Sequence, residues 1–170
     1  LRRPFAQLNI GANDYVASAN AGYTVSHATV TVPAYSGLDL ISGNVIGNKE
    51  VVTFGWTAKP EGYEFPVSGY EYLAMNYLLV GADKTLVDIE FGYGEANAAA
   101  KPRIVGSVPV QRNHRTNLYG QLLTNNTKVN VEIKPEYDDP MYEADELHKA
   151  AILGGEVTLT KDITLTAPLE

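Results

Sequence analysis

The sequence predicts an all-β fold, an antiparallel β-sandwich with one or two short helices. Three observations predict it. Apolar and polar residues alternate with period two in several runs, turn residues punctuate those runs, and the few helical patterns do not alternate regularly with strands. A period of two places one set of side chains on the core and the other in solvent. Strands with one wet face favour antiparallel sheets packed as a sandwich, and the absence of a strand–helix alternation argues against a parallel βαβ sheet.

Taken in order, Ala6, Leu8 and Ile10 alternate with Gln7 and Asn9. Asp14 to Ala21 reads as a short helix, with an Asp start and Gly22 as a stop. Val30 and Val32 alternate with Thr29 and Thr31. The run YLAMNYLLV, Tyr72 to Val80, is nearly all apolar and reads as a central strand buried on both faces. Val87, Ile89 and Phe91 alternate with Asp88 and Glu90. Val129, Val131 and Ile133 alternate with Lys128, Asn130, Glu132 and Lys134, the cleanest case. Leu8, Ile10, Val30, Val32, Leu78, Val80, Val87, Ile89, Val129, Val131 and Ile133 form the expected inward set. Ser36-Gly37, Ser42-Gly43-Asn44, Gly47-Asn48, Gly81-Ala82-Asp83 and Asn125-Asn126 supply the turns.

Organisation changes near Tyr137, where an acidic, Pro-ended turn precedes a second helix, ADELHKAAILGG, capped by Asp145 and ended by Gly154. Two Thr-rich strand patterns follow around Lys161-Asp162. This divides the chain into a sandwich domain, 1–140, and a segment, 141–170, of helix plus short strands that reads as the start of a further domain.

Composition narrows the function classes. The chain has 170 residues, 45% of them hydrophobic, enough for a core without staples. Its net charge of −7 disfavours a nucleic-acid partner and an anionic membrane surface. Without Cys there are no disulfides, thiolate metal sites or Cys nucleophiles. No signal peptide or apolar span is visible, and the chain opens at Leu1-Arg2-Arg3-Pro4 without Met, as an internal fragment would.

Catalytic signatures are sparse. His27, His114 and His148 share no metal-binding spacing, and no HExxH motif occurs. Glu136, Asp138 and Asp139 offer oxygen ligands without EF-hand spacing and read as a solvated turn. No Ser stands in a nucleophile elbow. The stretch GYGEANAAAK, Gly92 to Lys101, lacks the Gly-Lys-Ser/Thr ending of a phosphate loop and reads as a mobile loop. Asn125-Asn126-Thr127 fits the glycosylation pattern, which matters only in a eukaryotic secretory setting. No cofactor or metal is expected.

Two groups of residues remain. VPVQRNHRTNLYGQLLT, Val108 to Thr124, brings Arg112, His114 and Arg115 close together between apolar runs. Arg forks suit an anion. The plainer reading is an irregular crossing between strands, bent at Pro109 and Gly120, where Arg side chains cap backbone carbonyls. The second group is aromatic. Trp56, Tyr63, Tyr70 and Tyr72, with Tyr77, offer a candidate platform for stacking a sugar, against the alternative of ordinary sandwich packing.

Four stretches together resemble the fimbrillin-like surface lipoproteins of Bacteroides and relatives. They are LRRPFAQLNIG (1–11), SGYEYLAMNYLLVG (68–81), the Val108–Thr124 segment, and VNVEIKPEYDDP (129–140). The resemblance covers residues 1–140. It implies a secreted, transthyretin-like Greek-key sandwich on the extracellular face of the outer membrane, or built into pili, with no enzyme activity. Arg112, Asn113, Arg115, Tyr119 and Gly120 would then be a structural signature. Partners would be other surface or pilus subunits or a host or glycan ligand, with membrane contact only through a lipid anchor outside these residues and self-association through strand edges. The tail GGEVTLTKDITLTAPL resembles the opening coil of a right-handed β-helix, as in pectate-lyase-like surface proteins. The competing expectation is a carbohydrate-binding module attached to a carbohydrate-active β-helix.

Overall fold

The computed structural model describes residues 3–95, 102–124 and 129–135. The chain divides into two units, Leu1–Ile133 and Lys134–Glu170. Of the second, only residues 134–135 are described, so the helix from Asp145, the strand patterns around Lys161, the acidic turn at Glu136 to Asp139 and His148 lie outside the described residues, as does Asn125-Asn126-Thr127 of the first.

The elements are β1 (Ala6–Ala12), α1 (Tyr15–Asn20), β2 (His27–Leu38), β3 (Val45–Ala58), β4 (Glu71–Leu78), β5 (Thr85–Gly94), β6 (Arg103–Val110), β7 (His114–Gly120) and β8 (Val129–Pro135). They form two four-stranded sheets, ordered β4-β1-β7-β8 and β3-β2-β5-β6. This is the expected all-β sandwich, with one short helix among the described residues. β1 pairs antiparallel with β4, β2 with β3 and β5, and β5 with β6, whereas β1 and β7 run parallel. That exception follows from connectivity. The chain crosses to the second sheet and back between β1 and β7, so no hairpin forces them antiparallel.

Leu8, Ile10 and Leu118 from one sheet join Val30, Val32, Val87, Ile89 and Phe91 from the other in a single buried cluster. Leu78 and Val80 belong to it too. The expected inward set is therefore buried, except on β8. There Val131 is 38% exposed. Glu132 is half-buried and accepts a hydrogen bond from Asn117 Nδ2 at 2.8 Å. Val129 packs against the core only partly buried and Ile133 is half-buried, so β8 lies at the margin of the core.

Two further expectations are corrected. β4 is an edge strand, not a central one: Leu73 and Leu78 are buried, but Tyr77 is 48% exposed. The strand buried on both faces is β1. Gln7 and Asn9, whose place in the alternation predicts solvent, are 6% and 0% exposed. Their amides are satisfied in a ladder across the sheet. Gln7 Nε2 donates to Asn9 Oδ1, Asn9 Nδ2 to Asn117 Oδ1, and Asn117 Nδ2 to Glu132 Oε1, each at 2.8–2.9 Å. A buried amide is tolerable when its hydrogen bonds are made.

At α1, Asp14 occupies the N-cap position but makes no side-chain cap hydrogen bond. Its carboxylate instead accepts from the backbone N–H groups of Leu123 and Thr124 and from the Thr124 hydroxyl. This fastens the segment after β7 to the start of the helix. Gly22, with φ of +85°, ends α1 in the left-handed region.

Candidate functional site

The loop from β3 to β4 carries the chain from one sheet to the other and is anchored at both ends. At its start, Lys59 Nζ lies 3.1 Å from Glu71 Oε2 and 4.7 Å from the centroid of the Tyr15 ring. The Tyr15 hydroxyl donates to the Tyr72 carbonyl at 2.8 Å. Burial, and then the carboxylates of Glu71 and Asp14, push the Tyr15 phenol well above its ordinary range, so it remains a donor. Further along, Phe65 is 7% exposed and packs edge-to-face on Tyr72, with ring centroids 5.0 Å apart. Tyr70 meets Tyr119 of β7 in the same manner at 4.9 Å.

Between these anchors lies a cleft of about 330 Å³, walled by residues 59–63 and by Tyr70, Glu71 and Tyr72. The structure thus brings Tyr63, Tyr70 and Tyr72 together. Their exposures differ: Tyr63 is 69% exposed, Tyr70 half-buried and Tyr72 6% exposed. Trp56 stands on β3 of the other sheet and does not line the cleft. Tyr77 is also outside it. The aromatics therefore form a cleft with one open wall, not a single row on a sheet face.

Sequence reasoning missed Lys59, Glu71, Tyr15 and Phe65. The signal for Phe65 was Gly11: a glycine inside a strand marks a close approach by another group. Nothing in the sequence marks Lys59 and Glu71 as partners, because their pairing depends on the course of the loop.

The Arg112–Gly120 signature is woven into the scaffold. The Arg112 guanidinium donates to the Gly43 carbonyl, and its backbone N–H donates to the Gly81 carbonyl at 2.9 Å. It thus holds the turn between β2 and β3. In that turn Asp39 accepts from the Ser42 hydroxyl and the Ile41 N–H, which hold its carboxyl below the usual range. Asn113 adopts φ of +63°. It donates its N–H to the Phe5 carbonyl, and its Oδ1 accepts from the Arg3 N–H at 2.9 Å. Asn tolerates this conformation better than most residues. Beside it, His114 Nδ1 lies 3.0 Å from the Arg112 carbonyl, a geometry in which that nitrogen carries the proton. Arg115 pairs in register with Gln7, Tyr119 with Gly11, and Gly120 with Ala12.

A second cleft, about 390 Å³, is lined by Ser18, Tyr23, Tyr93, Arg103 and Thr124 among others. Several of its polar groups are already engaged: Arg103 with the Thr124 carbonyl, Tyr93 with that of Leu123, and Ser18 with that of Tyr23. No cluster of three metal-ligating side chains occurs among the described residues. No helix among them is long and apolar enough to cross a membrane.

Residues 1–164 match the family of unknown function DUF6562. The chain belongs to this family. The match takes in both sheets of the sandwich, so this DUF6562 protein carries the cleft and the Arg112–Gly120 segment within its family region. The sequence matches no curated protein. Among solved structures, a candidate cell adhesion protein from Bacteroides ovatus is similar, with 12% identity and a TM-score of 0.47. The alignment covers 81% of this chain and 46% of that one, so the DUF6562 chain spans about half its length.

Proposed function

We propose that this protein is a non-enzymatic, fimbrillin-like domain of the outer cell surface, structural and adhesive in role. The observation that carries the reading is the use made of Arg112. Its guanidinium, the most obvious anion-binding group in the sequence, is turned onto the Gly43 carbonyl and holds the β2–β3 turn. The segment that carries the resemblance thus serves to brace a sandwich, while the β3–β4 loop presents a cleft to solvent. Such a division suits a domain that displays a binding loop on a rigid frame. In this reading a lipid anchor or pilus neighbours lie outside the residues described, and β3, at the edge of its sheet, offers backbone groups for association with other subunits.

The cleft favours a second reading, a carbohydrate-binding module. Tyr63, Tyr70 and Tyr72 converge on one cavity beside a Lys–Glu pair. Antibody labelling of intact cells, before and after treatment with external protease, tests the surface assignment. Labelling that the protease removes supports it. Label that appears only after the cells are broken overturns it.

A further inference from the structure

We propose that the cleft between Lys59 and Tyr72 is a subsite for one neutral hexopyranose ring of a glycan. The proposal rests on the reading that the cleft receives a ligand, and it names the class. A pyranose has an apolar C–H face and a rim of hydroxyls, so it needs an aromatic face beside paired donors and acceptors. Tyr63, 69% exposed on the cleft wall, supplies the face. Lys59 and Glu71, with Nζ and Oε2 3.1 Å apart, supply an ammonium donor and a carboxylate acceptor side by side. That spacing suits adjacent hydroxyls, one accepting from the ammonium and the other donating to the carboxylate.

Charge decides against the alternatives. Glu61 and Glu71 outnumber Lys59 on the walls, and the chain carries −7 overall, so an anionic sugar is repelled. A cationic ligand would have to displace Lys59, which already holds both Glu71 and the face of Tyr15. The volume of about 330 Å³ lies at the small end of the range of roughly 300–1,000 Å³ usual for ligand sites, matching one ring and not a long chain. Rigidity adds to the case. The Tyr15–Lys59–Glu71 contacts and the Phe65 anchor fix the loop on either side of Tyr63, so little ordering remains for the ligand to impose.

The test is titration of the full chain with methyl glucoside, methyl galactoside and methyl mannoside, followed by amide chemical shifts in NMR. Glucuronate and choline serve as the charged comparisons. Saturable shifts at residues 61–63 and 70–72 are expected with at least one neutral pyranoside. Tyr63→Ala should weaken them roughly tenfold. Tyr23→Ala, which removes a tyrosine of the other cleft, should leave them unchanged. Tighter binding of glucuronate or choline, or affinity undiminished in Tyr63→Ala, overturns the proposal. If only longer oligosaccharides move these amides, the single-ring assignment is overturned while the cleft still binds. If no compound moves them, the binding reading beneath it falls as well.

Discussion

The ring of Phe65 fills the space where a side chain at Gly11 would stand. A Cβ built on Gly11 would lie 2.6 Å from two carbons of that ring. This contact seats the β3–β4 loop on the outer face of the first sheet, and the cleft depends on it. Gly11→Ala should cost about 1–3 kcal/mol, the usual penalty for overpacking. Urea denaturation measures the loss. Because the displaced ring supports Tyr70 and Tyr72, shifts in the NMR spectrum should concentrate at the cleft. A variant as stable as the parent would remove Phe65 from the account as an anchor.

Arg112→Ala should lower stability by about 1–2 kcal/mol, through loss of a charge-assisted hydrogen bond to the Gly43 carbonyl. For a domain of this size that is a fall of a few degrees in Tm. Cleft titrations should be unaffected. An unchanged melting curve with lost ligand binding would reverse the assignment and make Arg112 a binding residue.

The amide ladder makes a different prediction. Asn117→Ala leaves both Asn9 Nδ2 and Glu132 Oε1 without the partner each has now, in a place where Asn9 is fully buried. The expected cost is about 1–3 kcal/mol by chemical denaturation. Asn9→Ala in the same background should add less than it does alone, since the two share one hydrogen bond. Strict additivity would show that the amides act independently.

Tyr15 sets the behaviour in alkali. Its folded-state pKa is raised, so the folded chain holds the phenolic proton more tightly than the unfolded chain does. Its contribution is complete below the unfolded value, about 10. It is lost as pH rises from there toward the folded value. Stability should therefore fall above that pH, with phenolate absorbance from Tyr15 appearing only as the chain unfolds. Tyr15→Phe should flatten this dependence while costing the hydrogen bond to the Tyr72 carbonyl. The same alkaline slope in Tyr15→Phe would assign the effect to another tyrosine.

Much of the sandwich was legible because burial on one face leaves a period-two trace. Val30, Val32, Val87 and Ile89 alternate in sequence and are all buried. The trace failed where a strand's second face is also covered. Gln7 and Asn9 look like a solvent face, yet the ladder to Asn117 and Glu132 lets them be buried. It failed again at Tyr72–Val80, because an apolar run does not distinguish a central strand from an edge strand whose Tyr77 is partly exposed. In the cleft, Tyr63, Tyr70 and Tyr72 were legible as neighbours, since Tyr63 and Tyr70 share the β3–β4 loop and Tyr72 follows at the start of β4. Trp56 is nearly as close in sequence, but β3 places it on the other sheet. The Lys59–Glu71 pair was not legible, since complementary charge alone does not specify contact.

The central claim, a surface domain that adheres through the β3–β4 cleft, is tested most directly by bead adhesion. Beads coated with the wild-type chain or with Tyr63→Ala are applied to a glycan-bearing surface, with and without soluble neutral pyranosides. The account predicts that wild-type beads adhere, that a pyranoside releases them, and that Tyr63→Ala beads adhere roughly tenfold less well. Wild-type beads that adhere no better than uncoated ones, or that hold as firmly after Tyr63→Ala, would contradict it.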